Sequence, residues 1–231
     1  MQYYMLIYAI IYMTRRFGNM SFVHLHTHTG YSILDGANKI KDYIRRVKEL
    51  GMNAAAITDH GVMYGVIDFY KEAKTEGINP IIGCEVYVAP GSRHDKGGIG
   101  EEKYNHLILL AETTDGYYNL QKICSQGFID GFYYKPRVDE EILRQYSKGI
   151  ICLSACLAGR HEDAVGFIER YKDIFGEDNF FLEIQDHGIP EERTVITEML
   201  SLSRETDTRI VATNDCHYTR AEDAEPHDVL L

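Results

Sequence analysis

Apolar and polar positions repeat at two periods along this chain, and each change of period marks an element. The run FVHLHTHT alternates at period two, so His24, His26 and His28 share one face of a predicted strand while Val23, Leu25 and Thr27 share the other. NKIKDYIRRVKEL then places Ile40, Tyr43, Ile44, Val47 and Leu50 on one helical stripe, which Gly51 ends. NAAAITDHG reads as a short buried strand ending in Asp59 and His60, and YGVIDFYKEAKTEG as a helix closed by Gly77. NPIIGCEVYVAPG is a β-branched strand with Glu85 in its middle, SRHDKGGIGEEK a glycine-rich mobile loop, and NHLILLAE a buried strand opened by His106. DGYYNLQKICSQG is a helix, FIDGFYYKPRVD a loop and EEILRQY a short helix. The strand GIICLSACL, the helix HEDAVGFIERYKDIFG and the strand NFFLEIQDHG follow. PEERTVITEMLSLSRET is a helix with Pro190 in its first turn and Val195, Met199 and Leu202 on its stripe, and TRIVATNDCH is the last strand.

Strand and helix thus alternate about seven times, which predicts an α/β protein with a parallel sheet or a closed barrel. His28, Asp35, His60, Glu85, Cys156, Asp215 and His217 fall in, or just after, the C-terminal halves of different strands. A closed barrel brings such strand ends to one mouth, whereas an open sheet spreads them along an edge. The pattern favours a barrel, with His106, at the start of its strand, as the exception.

The 231 residues and 45% hydrophobic content suffice for one domain with a substantial core. A net charge of −11 argues against gripping duplex DNA by counterion release. It leaves room for a nucleic-acid end as substrate, because bound divalent cations would make a site locally positive. Five cysteines form no CxxC pair, and with no export signal visible the expected compartment is a reducing cytoplasm. Residues 3–13 are apolar, but the run is shorter than the roughly 20 residues of a spanning helix, and charge follows it instead of preceding it. Residues 1–19 are therefore read as an extension, with the domain running from 20 to 231 and no membrane partner.

Three imidazoles on one strand face cost desolvation unless they find partners, and neutral imidazole is a common ligand for zinc, manganese and iron. Asp35 lies just beyond, and Asp215 and His217 repeat the alternate spacing on the last strand. The candidate ligands are His26, His28, Asp35, His60, Glu85, His106, Cys156, Asp215 and His217. Nine donors exceed one tetrahedral site, which predicts two or three divalent ions sharing carboxylates, zinc or manganese foremost and iron also suited.

The ordered blocks HLHTHTGYSILDG, AAITDHG, IIGCEVYVAPG, NHLILLA, GFYYKPRVD, LSACLAG, FFLEIQDHG and VATNDCHY resemble the PHP (polymerase and histidinol phosphatase) domain of bacterial DNA polymerase III alpha subunits. The resemblance runs from about Met20 to the end of the chain. It implies a distorted seven-stranded (βα) barrel, TIM-barrel-like, with a trinuclear metal site at the C-terminal mouth of the strands. It puts His26, His28, Glu85 and Asp215 at one metal, Glu85, His106 and Cys156 at a second, and Asp35, His60 and His217 at a third. All nine positions are filled, which implies a catalytically competent copy in which Asp35, His60, Asp215 and His217 do the catalytic work. Two departures stand out. The stretch from Cys156 to Phe180 is shorter than the family suggests, and the chain stops at HDVLL with no polymerase carboxylate motif, as a fragment would.

The implied activity is metal-dependent phosphodiester hydrolysis, a 3′–5′ exonuclease acting on a DNA primer end. A stand-alone histidinol-phosphatase-like enzyme is the alternative within catalysis. Outside it stands a metal-stapled platform for the rest of the polymerase chain and a separate proofreading subunit, with a sliding clamp in the wider assembly. Lys135 and Arg137 are candidate phosphate contacts, since Arg offers a bidentate fork, and His24 is a candidate to orient a ligand histidine. Asp186 and His187 are expected to pack at the surface, His94, His161 and His227 to face solvent, and Cys84, Cys124 and Cys152 to fill the core.

Overall fold

A computed structural model describes residues 22–96, 104–155 and 163–231. The apolar run 3–13, most of the glycine-rich loop, Cys156 and His161 lie outside the described residues. In chain order the elements are α1 (Ile40–Glu49), β1 (Ala54–Ile57), α2 (Val66–Glu76), β2 (Asn79–Val88), β3 (Asn105–Ala111) and α3 (Thr114–Ile129). Then come β4 (Phe132–Tyr133), β5 (Lys135–Val138), α4 (Glu140–Tyr146), β6 (Ile150–Leu153), α5 (Ala164–Phe175), β7 (Phe180–Gln185), α6 (Pro190–Thr206) and β8 (Ile210–Thr213). A 3₁₀ turn, Ala221–Asp223, leads into α7 (Ala224–Leu230).

The predicted helices form where their stripes require, and their ends carry matching chemistry: Thr113 and Asp139 cap α3 and α4 through side-chain oxygens, and Gly77 closes α2 in the left-handed region. The predicted loop FIDGFYYKPRVD is instead a hairpin, β4–β5, with Phe132 opposite Pro136 and Tyr133 opposite Lys135.

The sheet runs β4-β5-β2-β3-β6-β7-β8, with β1 beside the first half of β2. Its pairings are parallel except around β3, which is antiparallel to both β2 and β6, and in the β4–β5 hairpin. The sheet is therefore mixed, not all parallel. That reversal also explains the exception: because β3 runs backwards, its first residues lie at the same end as the last residues of its neighbours, and His106 faces Tyr87 near the end of β2.

Residues 22–29 are extended but form no regular strand; they carry only single bridges, from Thr27 to Cys216 and from Thr29 to Asn38. They nevertheless span the gap between the sheet's two ends. On one side Ala56 N donates to His24 O (3.0 Å) and Thr58 N to Thr27 O (3.0 Å). On the other, His28 N donates to Cys216 O (2.9 Å) and Cys216 N to His26 O (3.1 Å). With β1, β2, β3, β6, β7 and β8, this segment makes the seven staves of a distorted barrel, and β4–β5 hangs at the rim.

Inside the barrel, Ala56, Ile108, Leu110, Leu153 and Ala155 form a small apolar plug. Outside, alternate positions such as Leu107, Leu109, Cys84 and Cys152 pack under α3 to α6. A separate cluster, including Ile44, Val47, Ile57 and Phe69, seats α1 and α2 on β1.

Candidate metal centre

Glu85 sits opposite Ile108 in register, so its carboxylate shares the interior face with the plug and points into the barrel mouth. Four donors meet there. His26 Nε2 lies 2.9 Å from Glu85 Oε2, 3.1 Å from His28 Nε2 and 3.1 Å from Asp215 Oδ1. His28 Nε2 lies 2.9 Å from Glu85 Oε2 and 3.2 Å from Asp215 Oδ1. Metal–ligand bonds of about 2.0–2.2 Å set neighbouring donors about 2.9–3.5 Å apart, so this spacing is that of a coordination shell. Asp215 Oδ1 is buried with no hydrogen-bond partner among the described residues, as a donor reserved for a cation would be.

A second group adjoins the first. Asp35 Oδ2 meets His60 Nε2 and, at 3.0 Å, His217 Nε2, and His28 completes a set whose donors all lie within 4.8 Å of one another. The His28 ring lies against those of both His60 (centroids 4.0 Å) and His217 (4.5 Å), which are themselves 6.2 Å apart. Asp35 reaches this place through a tight turn in which Gly36 brings the chain back onto Thr29; a Cβ on Gly36 would lie 2.0 Å from Thr29 O. Glu85 extends to a third position by an ion pair with His106. Cys156, expected beside them, is outside the described residues.

The far nitrogens of the rings are also fixed. His26 Nδ1 lies 2.8 Å from Glu183 Oε1, His28 Nδ1 lies 3.0 Å from Ser32 Oγ, and His217 Nδ1 lies 2.9 Å from Asp215 O. Ser32 Oγ donates to Asp59 Oδ1 and accepts from His60 N, so Ser32 can only accept from His28. Each bond holds a proton on Nδ1 and leaves the Nε2 lone pair aimed at the mouth. Glu183 and Ser32 did not enter the sequence reading, and Asp59 entered it only as a strand end; a lone acid inside the apolar strand FFLEIQ was the available signal for Glu183.

The electrostatics show how much the carboxylates demand a cation. Burial pulls His26 down, but Glu183 and Glu85 outweigh it and hold the ring well above the usual histidine range. His28 is likewise pushed up to about 9, by Asp215 and Glu85 against burial. Burial raises Glu85 and Asp215, yet the surrounding histidines hold both below the usual carboxylate range. His60 is lowered, chiefly by burial. The carboxylates that raise His26 and His28 would equally favour a divalent ion, whose binding competes with protons for the two rings.

Comparison with known proteins agrees with this geometry: the PHP domain matches residues 24–187. The chain belongs to the PHP family. Within it, the chain is 47% identical over 223 residues to the DNA polymerase III subunit alpha of Treponema pallidum and 45% identical over 225 residues to that of Thermus aquaticus. Each match covers 92% of this chain but only 19% and 18% of those proteins, so the chain spans about a fifth of the length of the curated relatives it matches. The PHP fold is also seen in a Bifidobacterium adolescentis protein assigned as a metal-dependent phosphoesterase (TM-score 0.54, 14% identity, 86% of this chain and 88% of the other). An amidohydrolase from Chromobacterium violaceum shares it too (TM-score 0.56, 14% identity, 88% and 89%). No helix among the described residues is long and apolar enough to cross a membrane.

The PHP mouth leaves several expected residues elsewhere. His24 packs on Phe22, and its Nδ1 lies 3.3 Å from Cys216 Sγ, whereas His26 and His28 turn their Nε2 atoms to Glu85 and Asp215. Arg137 is not a free phosphate clamp. It is buried, and its guanidinium donates to the carbonyls of Gly131, Arg93 and Asp95. Lys135 stays at the rim, its Nζ 5.4 Å from the centre of the Tyr87 ring. His227 is half-buried instead of solvent-facing: its Nε2 lies 2.7 Å from Asp35 O, and its ring is 5.7 Å from that of His217. His94 is exposed, and exposed His187 ties Glu192 to Asn214 O. Cys84 and Cys152 are buried and Cys124 partly so.

Proposed function

We propose that this chain is the PHP part of a DNA polymerase III alpha subunit and that its mouth hydrolyses phosphodiesters at a DNA 3′ end with divalent metal ions. The observation that carries this reading is the pair of adjoining donor groups, His26–His28–Glu85–Asp215 and His28–Asp35–His60–His217. In it, the first four residues hold one ion, Asp35, His60 and His217 hold another, and Glu85 with His106 and Cys156 holds a third. Manganese or zinc suits this imidazole–carboxylate set, and iron would also be accepted. Bound ions would stabilise the negative charge that develops on the phosphate oxygens and ionise a water at neutral pH. The protein's own part is preorganisation. Glu183 and Ser32 keep the Nε2 lone pairs of His26 and His28 inward, Glu85 ties the two halves of the mouth together, and Asp35 sets the distance between His60 and His217. High identity to the polymerase subunits favours a DNA end over a small phosphate ester as substrate, and favours attachment to the rest of a polymerase, its proofreading partner and clamp.

The test times nucleotide release from a 3′-mismatched primer with manganese or zinc. Asp35→Asn and Asp215→Asn, which keep shape but remove charge, are each expected to slow release at least about 10²-fold. Chelation should lower the melting temperature of the wild type, because metal binds only the folded state. Equal release by wild type and Asp215→Asn would leave the non-catalytic platform as the function. Turnover of histidinol phosphate with none on DNA would leave the small-ester phosphatase.

A further inference from the structure

The β4–β5 hairpin has features that its place at the rim alone does not require. Its pairing of Tyr133 with Lys135 leaves a single residue, Tyr134, at the tip. That residue takes φ +58°, a left-handed conformation that costs a bulky side chain energy, and it remains 58% exposed. The base of the hairpin is built rigidly from within. Arg137 holds three main-chain carbonyls and lies 5.2 Å over the Tyr133 ring, which in turn meets Tyr134 edge-on at 4.7 Å.

The hairpin is also docked on the metal centre. Gly61, next to His60, lets Pro136 approach so closely that a Cβ there would lie 2.6 Å from its Cγ. Lys135 lies over Tyr87, whose ring stacks on His60 at 5.9 Å and meets His106 edge-on at 5.0 Å. Lys135 has no carboxylate partner among the described residues, on a chain of net charge −11. A strained exposed aromatic therefore adjoins in sequence a lysine that stands one ring away from the candidate ligands.

We infer that Tyr134 and Lys135 form a subsite for the terminal nucleotides of a single-stranded polynucleotide, Tyr134 stacking on a base and Lys135 meeting the adjoining phosphate. The inference rests on the phosphodiesterase reading and specifies its substrate as a frayed end. His26, His28 and Glu85 are almost wholly buried, so the scissile phosphate must come inward, which a stacked duplex end cannot do. An aromatic face accepts any base, and the cation tracks the backbone.

The experiment measures binding of labelled octanucleotides to the 231-residue chain by fluorescence anisotropy, in manganese and across a salt series. One oligonucleotide carries bases throughout, and the other is abasic at its two 3′-terminal positions. Wild type is expected to prefer the base-bearing strand about tenfold. Tyr134→Ala should erase that preference and Tyr134→Phe restore it, which loss of structure alone would not do. Lys135→Gln should weaken both strands and flatten the salt slope by about 0.7, one single-strand phosphate contact. A full base preference in Tyr134→Ala overturns the subsite. Parallel primer hydrolysis separates the two ideas: hydrolysis without Tyr134-dependent preference removes the subsite alone, and Tyr134-dependent binding without hydrolysis removes the phosphodiesterase reading alone.

Discussion

The two seams of the barrel are built from different forces. Along the β2–β3 seam, a continuous ladder runs from Gly83 opposite Leu110 to Val88 opposite Asn105, with apolar side chains buried on both faces. The closing seam, between residues 22–29 and the chain after β8, has no ladder. It is held by single backbone bonds and by side chains: Asn38 Nδ2 donates to both His28 O and Cys216 O, and Thr219 Oγ1 donates to Asn38 Oδ1. Along the β2–β3 seam the ladder and its apolar burial supply the stability, and Glu85 and His106 are carried on it as the polar exceptions. Side-chain bonds leave imidazoles and carboxylates at the spacing a cation needs, with the closure resting on few main-chain bonds.

Removing apolar volume from the ladder should give the largest effect. Leu109→Ala empties a fully buried site and is expected to cost about 2–5 kcal/mol by urea denaturation. Bound metal per folded molecule should stay unchanged; a loss of metal in the folded variant would show that the seams are not separable. At the closing seam the reverse is expected. Glu183→Gln keeps the volume but weakens the hold on His26 Nδ1, so manganese affinity should fall about 10–100-fold by isothermal titration, with little change in urea midpoint of the metal-free protein.

The smallest effect concerns pH. The Asn214 carbonyl and Glu192 raise His187 above its ordinary value, so its contribution is full below the unfolded value and fades as pH rises through the higher folded one. The pair is exposed, so the difference in melting temperature between wild type and His187→Gln should be small at pH 5.5 and vanish by pH 9. A difference that grows with pH would contradict that sign.

Much of this was legible in the sequence, since helix stripes and alternating ligands are local patterns. The reversal of β3 was not. A buried strand reads the same in either direction, and only His106, out of place at a strand start, signalled that the chain turns back. Arg137 misled for a related reason: its charge is visible in YYKPRVD, but the three carbonyls that absorb it come from residues 131, 93 and 95. The opening run looked like a strand because its alternation is real, yet a ladder needs neighbours on both sides in register, and these come from distant parts of the chain. The roles of Glu183, Ser32 and Asp59 depend on the same long-range meetings.

That distance has a consequence for the order of assembly. His26 and Asp35 wait for Asp215 and His217; the Asp35–His217 contact alone spans 182 residues. Loop-closure entropy makes such a contact late, and the β2–β3 ladder, far more local in sequence, can form well before it. During synthesis the first histidines emerge early, but their carboxylate partner Asp215 follows only after every strand of the sheet has been made. A nascent chain therefore carries the His26–His28 pair without the geometry to retain a metal, and refolding followed by manganese uptake should show the ion captured only in the last kinetic phase.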